Sequence, residues 1–522
     1  MLKTMQELVK RLEEAPLSLI QAVLIFLSIV FLRNYLEVFS DTGGVFVNYS
    51  HYFIHYPLFY LTAYLMIVVS MHLTSRTPIN KVAKTVLAFF PILFLTPVLD
   101  LMYSGGYDVN YFYGNWETML RSFLSFYGDP PGAIGGASFG MRSELATMII
   151  LTMTYVYLKS KSILRSIIHG SMIYTLIFIL GCTPQLFAMA SDQMLGSGRF
   201  LDLVNHNTFT VNRSVADKMA LIITPISLAF ILAWAYLSDP DKFHALARNI
   251  RPLRLAHYES MLTLGVILAY KANPSIFNMA SPFTYLIFLN MLLSVALTWM
   301  SAVNLNDLWD LTSDKMTNKG RPLPTKTFKI DEYTQVTAIY LLGSVFYALS
   351  VSYEFLVLII VCHVVSVLYS MPPVRLKKYP IVSKACIGLA SMTIMYAGYA
   401  AANPGNSLNA LPAATSLFIF AGYTLASHVI ELKDYKSDKA TGIRTLPVVL
   451  GLPLATKVTG AFVGITYLAT PFVFSSSLTI PAILFAGYSV WAVNRAKDPE
   501  YYVLVAYVIY ALITLTVLVN IW

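Results

Sequence analysis

Charge is what this sequence has least of. Of its 522 residues only 12% are Asp, Glu, Lys or Arg, about half the roughly 25% of a soluble protein. Hydrophobic residues make up 57%, more than a soluble fold can hide, because surface area forces polar side chains outward. Cysteine is scarce as well. Cys182, Cys362 and Cys386 stand singly within apolar runs, which excludes a thiolate metal centre by spacing and leaves buried small hydrophobes. A basic stripe is also missing, so the net charge of +9 does not indicate nucleic acid as a partner. Nor is a cleavable signal peptide expected. Residues 1–16 form a charged amphipathic stretch, and the apolar run after it is long enough to span a bilayer.

What is present is a series of apolar runs of the length that crosses ~30 Å of hydrocarbon. Six centre on 18–36, 58–74, 85–103, 144–158, 167–188 and 218–237. Nine more lie near 256–271, 284–303, 334–350, 354–370, 385–402, 413–430, 454–473, 479–494 and 501–520. All should be helices, since open strands cannot satisfy their backbone in lipid. Lys and Arg concentrate in alternate loops: 75–84, 159–165 and 238–255, then 304–333, 371–384, 431–453 and 495–500. Loops 37–57, 272–283 and 403–412 have none. By the positive-inside rule the N-terminus and the basic loops face the cytoplasm of a multi-pass cell-membrane protein. The Asp-Pro-Asp-Lys stretch at 239–242 and a change of loop style set a boundary: 1–244 as one membrane domain, 245–522 as another.

The chemistry gathers in the second half. In NLNDLWDLTSDKMTNKGRPLP, from Asn304, the residues Asn306, Asp310 and Asp314 recur at i, i+4 and i+8, with Asp307 one step round. On a helix that puts three oxygen-bearing side chains on one face. Grouped carboxylates repel one another, which near lipid calls for a cation among them. Magnesium suits, because it takes oxygen ligands and bridges carboxylates to phosphates. Four crossings later Glu431, Asp434 and Asp438 repeat the pattern at i, i+3 and i+7, interspersed with Lys433, Lys436, Lys439 and Arg444. An even number of crossings places both clusters on one side, where each could bring its own metal ion to a single diphosphate. Between them lies YSMPPVRLKKYP, whose Tyr369, Arg375 and Lys377 would supply donors to an anionic leaving group. Taken alone, each motif could be a solvated helix end, with Arg375, Lys377, Arg251 and Arg321 as positive-inside anchors. Their recurrence in register argues for a site.

These three motifs, in this order and spacing, resemble the signatures of the UbiA superfamily of intramembrane prenyltransferases. The first is the Asn-Asp-x-x-Asp-x-x-x-Asp element with Arg321-Pro-Leu-Pro, the second Tyr369-Ser with Arg375-Leu-Lys, the third Asp434-x-x-x-Asp438 with Thr445-Leu-Pro-Val. Ile250-Arg251-Pro252 resembles the family's usual start. The sequence departs at Glu431, where many members have Asp, and at Thr325-Lys326, where Ser-Gly or Thr-Gly is common. The resemblance covers about 245–522 and implies a nine-helix bundle preceded here by about six further transmembrane helices. It implies magnesium-dependent transfer of an isoprenyl group from an isoprenyl diphosphate to a lipophilic acceptor. The acceptor would be an aromatic quinone-type precursor or a glycerol-type lipid; a terpene cyclase would need none. The implied metal ligands are Asn306, Asp307, Asp310, Asp314, Glu431, Asp434 and Asp438. The diphosphate would meet Asn306, Arg321, Arg375, Lys377, Lys433 and Arg444, with Tyr369 beside the leaving group.

A transporter using the acids as an ion path is the reading from another class, and it is stronger for 1–240, where no family resemblance is seen and the partner is unknown. His51 and His55, spaced i and i+4, read as interfacial aromatic packing rather than a metal pair. His428 is expected to line the chamber. The Gly- and Pro-rich stretch 128–140 reads as turns, with Asp100 and Asp108 as ordinary loop acids.

Overall fold

A backbone in hydrocarbon must satisfy its polar groups within each segment, which leaves the helix as the spanning element. The computed structural model describes residues 2–42, 49–103, 115–128, 137–191, 214–274, 279, 281–403 and 411–520, and these contain helices and no strand. Asp108 and most of 128–140 lie outside the described residues. The chain divides into two compact units, with a boundary between Phe243 and His244; Met279–Leu286 falls with the first.

The first unit contains α1 (Leu19–Thr42), α2 (Tyr56–Ser75), α3 (Ile79–Tyr103), α4 (Phe139–Ser160), α5 (Ile163–Ala190) and α6 (Val215–Ser238). Ser138, Ser162 and Ser214 open the last three by accepting a backbone N–H, the usual role of an N-cap hydroxyl. His51 and His55 stand 5.1 Å apart, ring to ring, and pack against Tyr52, Tyr56 and Phe59. Asp100 is no ordinary loop acid. It is buried, accepts from Ser138 Oγ at 2.5 Å and Gly140 N at 2.8 Å, and so fixes the start of α4.

Nine long helices follow. They are α7 (Pro252–Ala272), α8 (Pro282–Trp309), α9 (Ile330–Val351), α10 (Tyr353–Ser370) and α11 (Pro380–Ala402). Then come α12 (Ala413–Ala440), α13 (Leu452–Val473), α14 (Thr479–Arg495) and α15 (Pro499–Asn520). Pro252 and Pro380 open α7 and α11, positions where the missing N–H costs nothing. Among the described residues thirteen helices are long and apolar enough to cross a membrane, which makes this a multi-pass membrane protein. The two long helices outside that set are α4, which carries Arg142, Glu144 and Lys159, and α7, which carries Arg254, Glu259 and Lys271.

Glycine decides how α7 and α11 meet. A Cβ on Gly265 would overlap the Met395 carbonyl, and one on Gly398 the Leu262 carbonyl. Small residues at such a crossing let backbones touch, the main source of helix association where lipid competes for apolar contact. Two chain segments that carry chemistry are thereby held side by side: the start of α7 and the start of α11.

Candidate active site

Near its end α8 delivers Asn306 and then breaks. Asp310 sits at φ −104°, and a short helix, Leu311–Thr317, resumes beyond it. The backbone bonds Asp310 N to Asn306 O and Asp314 N to Asp310 O, each 2.9 Å, run through the break. Asn306, Asp310 and Asp314 therefore keep a common face although the helix is not continuous. The second acidic element is also set off locally. A 3₁₀ turn at Ser427–Ile430 interrupts α12 before Glu431, and Gly442, at φ 72°, stops the helical course that carries Asp434 and Asp438. Glycine takes that left-handed C-cap without a Cβ penalty. The two elements touch: Ser313 Oγ and Ser437 Oγ are 2.8 Å apart.

Both acidic faces open on one cavity of about 420 Å³. Asn306, Asp310, Asp314, Glu431, Asp434 and Asp438 line it, together with Arg254, Arg321, Lys377, Lys384 and Lys433. The remaining wall is largely aromatic and aliphatic, including Tyr258, Trp299, Phe418, Tyr423 and Tyr467. Within that wall His257 bonds Tyr507 Oη at 3.0 Å and Ser391 Oγ at 2.8 Å, and Tyr423 Oη donates to Tyr507 Oη at 2.7 Å. Tyr369 lines the cavity as well.

The acids are not a bare cluster, and two of the expected metal ligands have other work. Asp307 is 1% exposed and is absent from the cavity wall. Its Oδ1 accepts from Arg251 Nη2 at 2.7 Å and Arg321 Nη1 at 2.9 Å, and its Oδ2 from Asn249 Nδ2 at 2.9 Å and Tyr333 Oη at 3.2 Å. Asp307 thereby anchors two arginines from outside the cavity wall. Glu431 does line the cavity, but Lys384 Nζ at 2.9 Å, His428 Nδ1 at 3.1 Å and Leu446 N at 3.2 Å already hold its carboxylate. His428 consequently turns to Glu431 and Phe462 rather than lining the chamber.

The other pairs face the cavity. Asp310 receives Arg375 Nη2 at 2.9 Å and the Lys377 ammonium, which also reaches Asn306 Oδ1 at 3.3 Å. Asp314 is paired with Arg321 and accepts from Asn318 Nδ2 at 2.9 Å. Burial pushes the Asp314 carboxyl above the ordinary range against the pull of Arg321, and pulls the Lys377 ammonium below its own against that of Asp310. Arg375 reaches the cavity only through Asp310, and Arg444 is exposed and away from its wall. Lys433 lines it and is steadied by Glu500 Oε2 at 2.7 Å. Glu500 also accepts from Arg254 Nε at 2.9 Å.

The sequence reading missed Arg254, His257, Lys384 and Glu500. Arg251, Arg254 and Tyr258 recur at helical spacing, and that signal could have marked the first turns of α7 as a lining face. Lys384 and Glu500 gave no local sign.

One carboxylate stands apart. No hydrogen bond or ion pair reaches the Asp434 side chain among the described residues, although it lines the cavity. A part-buried carboxylate that feels Lys433, Arg254 and Arg321 only at a distance, with none in contact, has room for a cation. The donors around it are all oxygen, the preference of a hard divalent ion. Among the described residues no three His, Cys, Asp or Glu side chains converge closely enough to cage a metal alone. Magnesium fits that set, because it usually takes one or two carboxylates and completes its shell with phosphate oxygens and water.

The sequence model of the UbiA prenyltransferase family matches residues 261–515. A chloroplastic chlorophyll synthase from Oryza sativa subsp. japonica is 28% identical over 200 residues, 35% of this chain and 52% of that protein. The chain thus spans about half the length of that relative. A digeranylgeranylglyceryl phosphate synthase from Methanococcoides burtonii is 26% identical over 228 residues, 42% of this chain and 77% of that protein. A UbiA homolog from Archaeoglobus fulgidus, solved with GPP and Mg2+, is 18% identical over 52% of this chain and 99% of its own, at a TM-score of 0.41. The match to the UbiA prenyltransferase family thus lies almost wholly within the second unit and takes in just under half of the chain.

Proposed function

We propose that this protein is an integral-membrane prenyltransferase. It would take the isoprenyl group of an isoprenyl diphosphate and pass it to a lipophilic acceptor, with catalysis assigned to residues 245–522. The observation that carries this reading is one cavity with two acidic faces and several cations at one end and an aromatic, aliphatic wall over the rest. A diphosphate with a long apolar tail has the same division. The two relatives named as synthases support the class of reaction, and the name of the second, a glyceryl phosphate synthase, supports the glycerol-type acceptor.

In the reaction the bond between the prenyl carbon and the diphosphate oxygen breaks, and its electron pair leaves with diphosphate. A new bond forms from the acceptor, which gives up a proton. Arg321, Lys377, Lys433 and Arg254 are placed to hold phosphate oxygens, with charge-assisted bonds stronger than neutral ones. Tyr369 adds a hydroxyl donor beside them. Tyr258, Trp299 and Tyr423 line the cavity and would shelter positive charge developing on the prenyl carbon. Asn306, Asp310 and Asp314 on one side, Asp434 and Asp438 on the other, would hold magnesium, which when bound offsets the charge growing on the departing diphosphate. The basic loops support a cytoplasmic position for this end of the bundle in the cell membrane.

The test is to incubate the purified full-length protein with isoprenyl diphosphates and a lipid extract and to identify prenylated products by mass spectrometry. Products should form with magnesium and vanish in excess chelator. Release of diphosphate undiminished by chelation would overturn the metal assignment, and the absence of any prenylated or cyclised product would overturn the reading.

A further inference from the structure

The first unit encloses a second cavity, of about 200 Å³, lined only by residues between Met5 and Gly181. Its shape is informative. On α4 the lining runs from Met141 to Leu158, about 25 Å of helix at 1.5 Å per residue. On α2 it runs from Tyr56 to Met71, about 22 Å by the same rise. So small a volume drawn out over nearly the thickness of the hydrocarbon leaves room for one extended chain, not for a ring system. The middle is apolar, with Ala63, Ile67, Phe90 and Met148. At one end it meets Met5 and Val9 of the amphipathic helix Leu2–Glu14. That helix is pinned in place by Glu13, which binds Tyr155 Oη at 2.8 Å and Lys159 Nζ at 2.6 Å.

The other end is polar, and its charges are unequal in what they have left to bind. Arg33 is paired with Glu37 and lies 4.9 Å and 5.2 Å from the ring centres of Tyr56 and Tyr60. Glu144 is held by Thr96, whose hydroxyl donates at 2.5 Å, and feels Arg33 only at a distance, with no ion pair among the described residues. An ionisable side chain within a membrane helix is costly and ordinarily has a partner. A cationic partner would face Arg33 and Arg142 on the same lining, and an anionic one would face Glu144 itself. A neutral donor remains.

We propose that this cavity binds a single-chain lipid alcohol, its hydroxyl donating to Glu144 and its chain lying between α2, α3 and α4 toward Leu158. The site rests on the first unit alone and stands or falls independently of prenyl transfer.

The experiment uses the full-length protein in detergent and two photoreactive probes, a long-chain alcohol bearing a diazirine and its methyl ether. Cross-linked peptides are then mapped by mass spectrometry. In the wild type the alcohol should label peptides of α2 and α4, and the ether, which cannot donate, several-fold to roughly tenfold less, the loss of one hydrogen bond. Glu144→Leu should bring the alcohol down to the level of the ether, and Met148→Trp, which fills the channel, should abolish labelling by both. Equal labelling by alcohol and ether in the wild type, or none on α2 and α4, would overturn the proposal without recourse to a variant. Labelling that survives Met148→Trp in a protein with unchanged Tm would do the same.

Discussion

Asp307→Asn is the sharpest way to separate support from ligand at the end of α8. The substitution keeps the shape of the side chain and removes its charge. Two guanidinium groups, those of Arg251 and Arg321, then face each other across a neutral amide, at positions only 19% and 18% exposed. The amide nitrogen must also point at donors, either the two arginines or Asn249 and Tyr333. Removing one partner of a buried pair typically costs about 3–5 kcal/mol when the remaining charge is left uncompensated; Arg321 keeps Asp314, so the loss falls mainly on Arg251 and the low end of that range applies. Marginal stability makes that a large share of the total. The variant should therefore unfold at a lower temperature and a lower denaturant midpoint in detergent. Diphosphate release per folded molecule, measured well below both transitions, should fall less than in a variant that loses a cavity-facing acid. If Asp307→Asn unfolded with the wild type yet lost metal-dependent turnover, the carboxylate would be a ligand and the assignment to support would be wrong.

Asp434→Asn should show the opposite pattern, with diphosphate release abolished and the melting temperature unchanged or raised, since no partner is lost; near wild-type turnover would remove Asp434 from the site. Glu500→Gln should loosen Arg254 and Lys433 together, raising the KM for donor by roughly tenfold, the range for a weakened charged hydrogen bond, with a smaller change in kcat. An unchanged KM would mean that neither cation meets the donor.

Much of this architecture was legible because lipid makes it so. Run length and loop charge follow directly from the bilayer, and they found the fifteen long helices of the described residues and the common end at which the two acidic elements gather. Local periodicity also found the acidic faces, since spacing at i, i+3 and i+4 is a property of one helix. What periodicity cannot report is a partner on another helix. Asp307 and Asp310 look alike in the sequence, yet one is sealed by Arg251, Asn249 and Tyr333 while the other opens on the cavity. Glu431 belongs to its motif by spacing, and Lys384, 47 positions earlier on α11, takes its charge. Glu500 lies 246 positions from Arg254, beyond any pattern a window could hold. The break at Asp310 and the 3₁₀ turn before Glu431 were hidden for a related reason: neither contains a proline or glycine to announce it.

The same pairings bear on how a donor would bind. Lys377 and Arg375 are occupied by Asp310, Arg321 by Asp307 and Asp314, and Lys433 and Arg254 by Glu500. A diphosphate arriving alone would have to draw these cations from carboxylates that then lose their counter-charge near lipid, so each new bond is offset by one broken. Bound divalent ions would change the balance, because Asp310, Asp314 and Asp434 would hold a cation while the lysines and arginines are freed for phosphate. Donor and metal should therefore bind with positive coupling, commonly about 5- to 150-fold. Calorimetric titration of an unreactive thio-analogue of the donor, with and without magnesium, measures it directly. Weak binding without the metal, and a gain of at least fivefold with it, is the expected result. Equal affinity in both titrations would mean that the bases are free to hold phosphate by themselves, and the exchange of partners inferred from their pairing would be refuted.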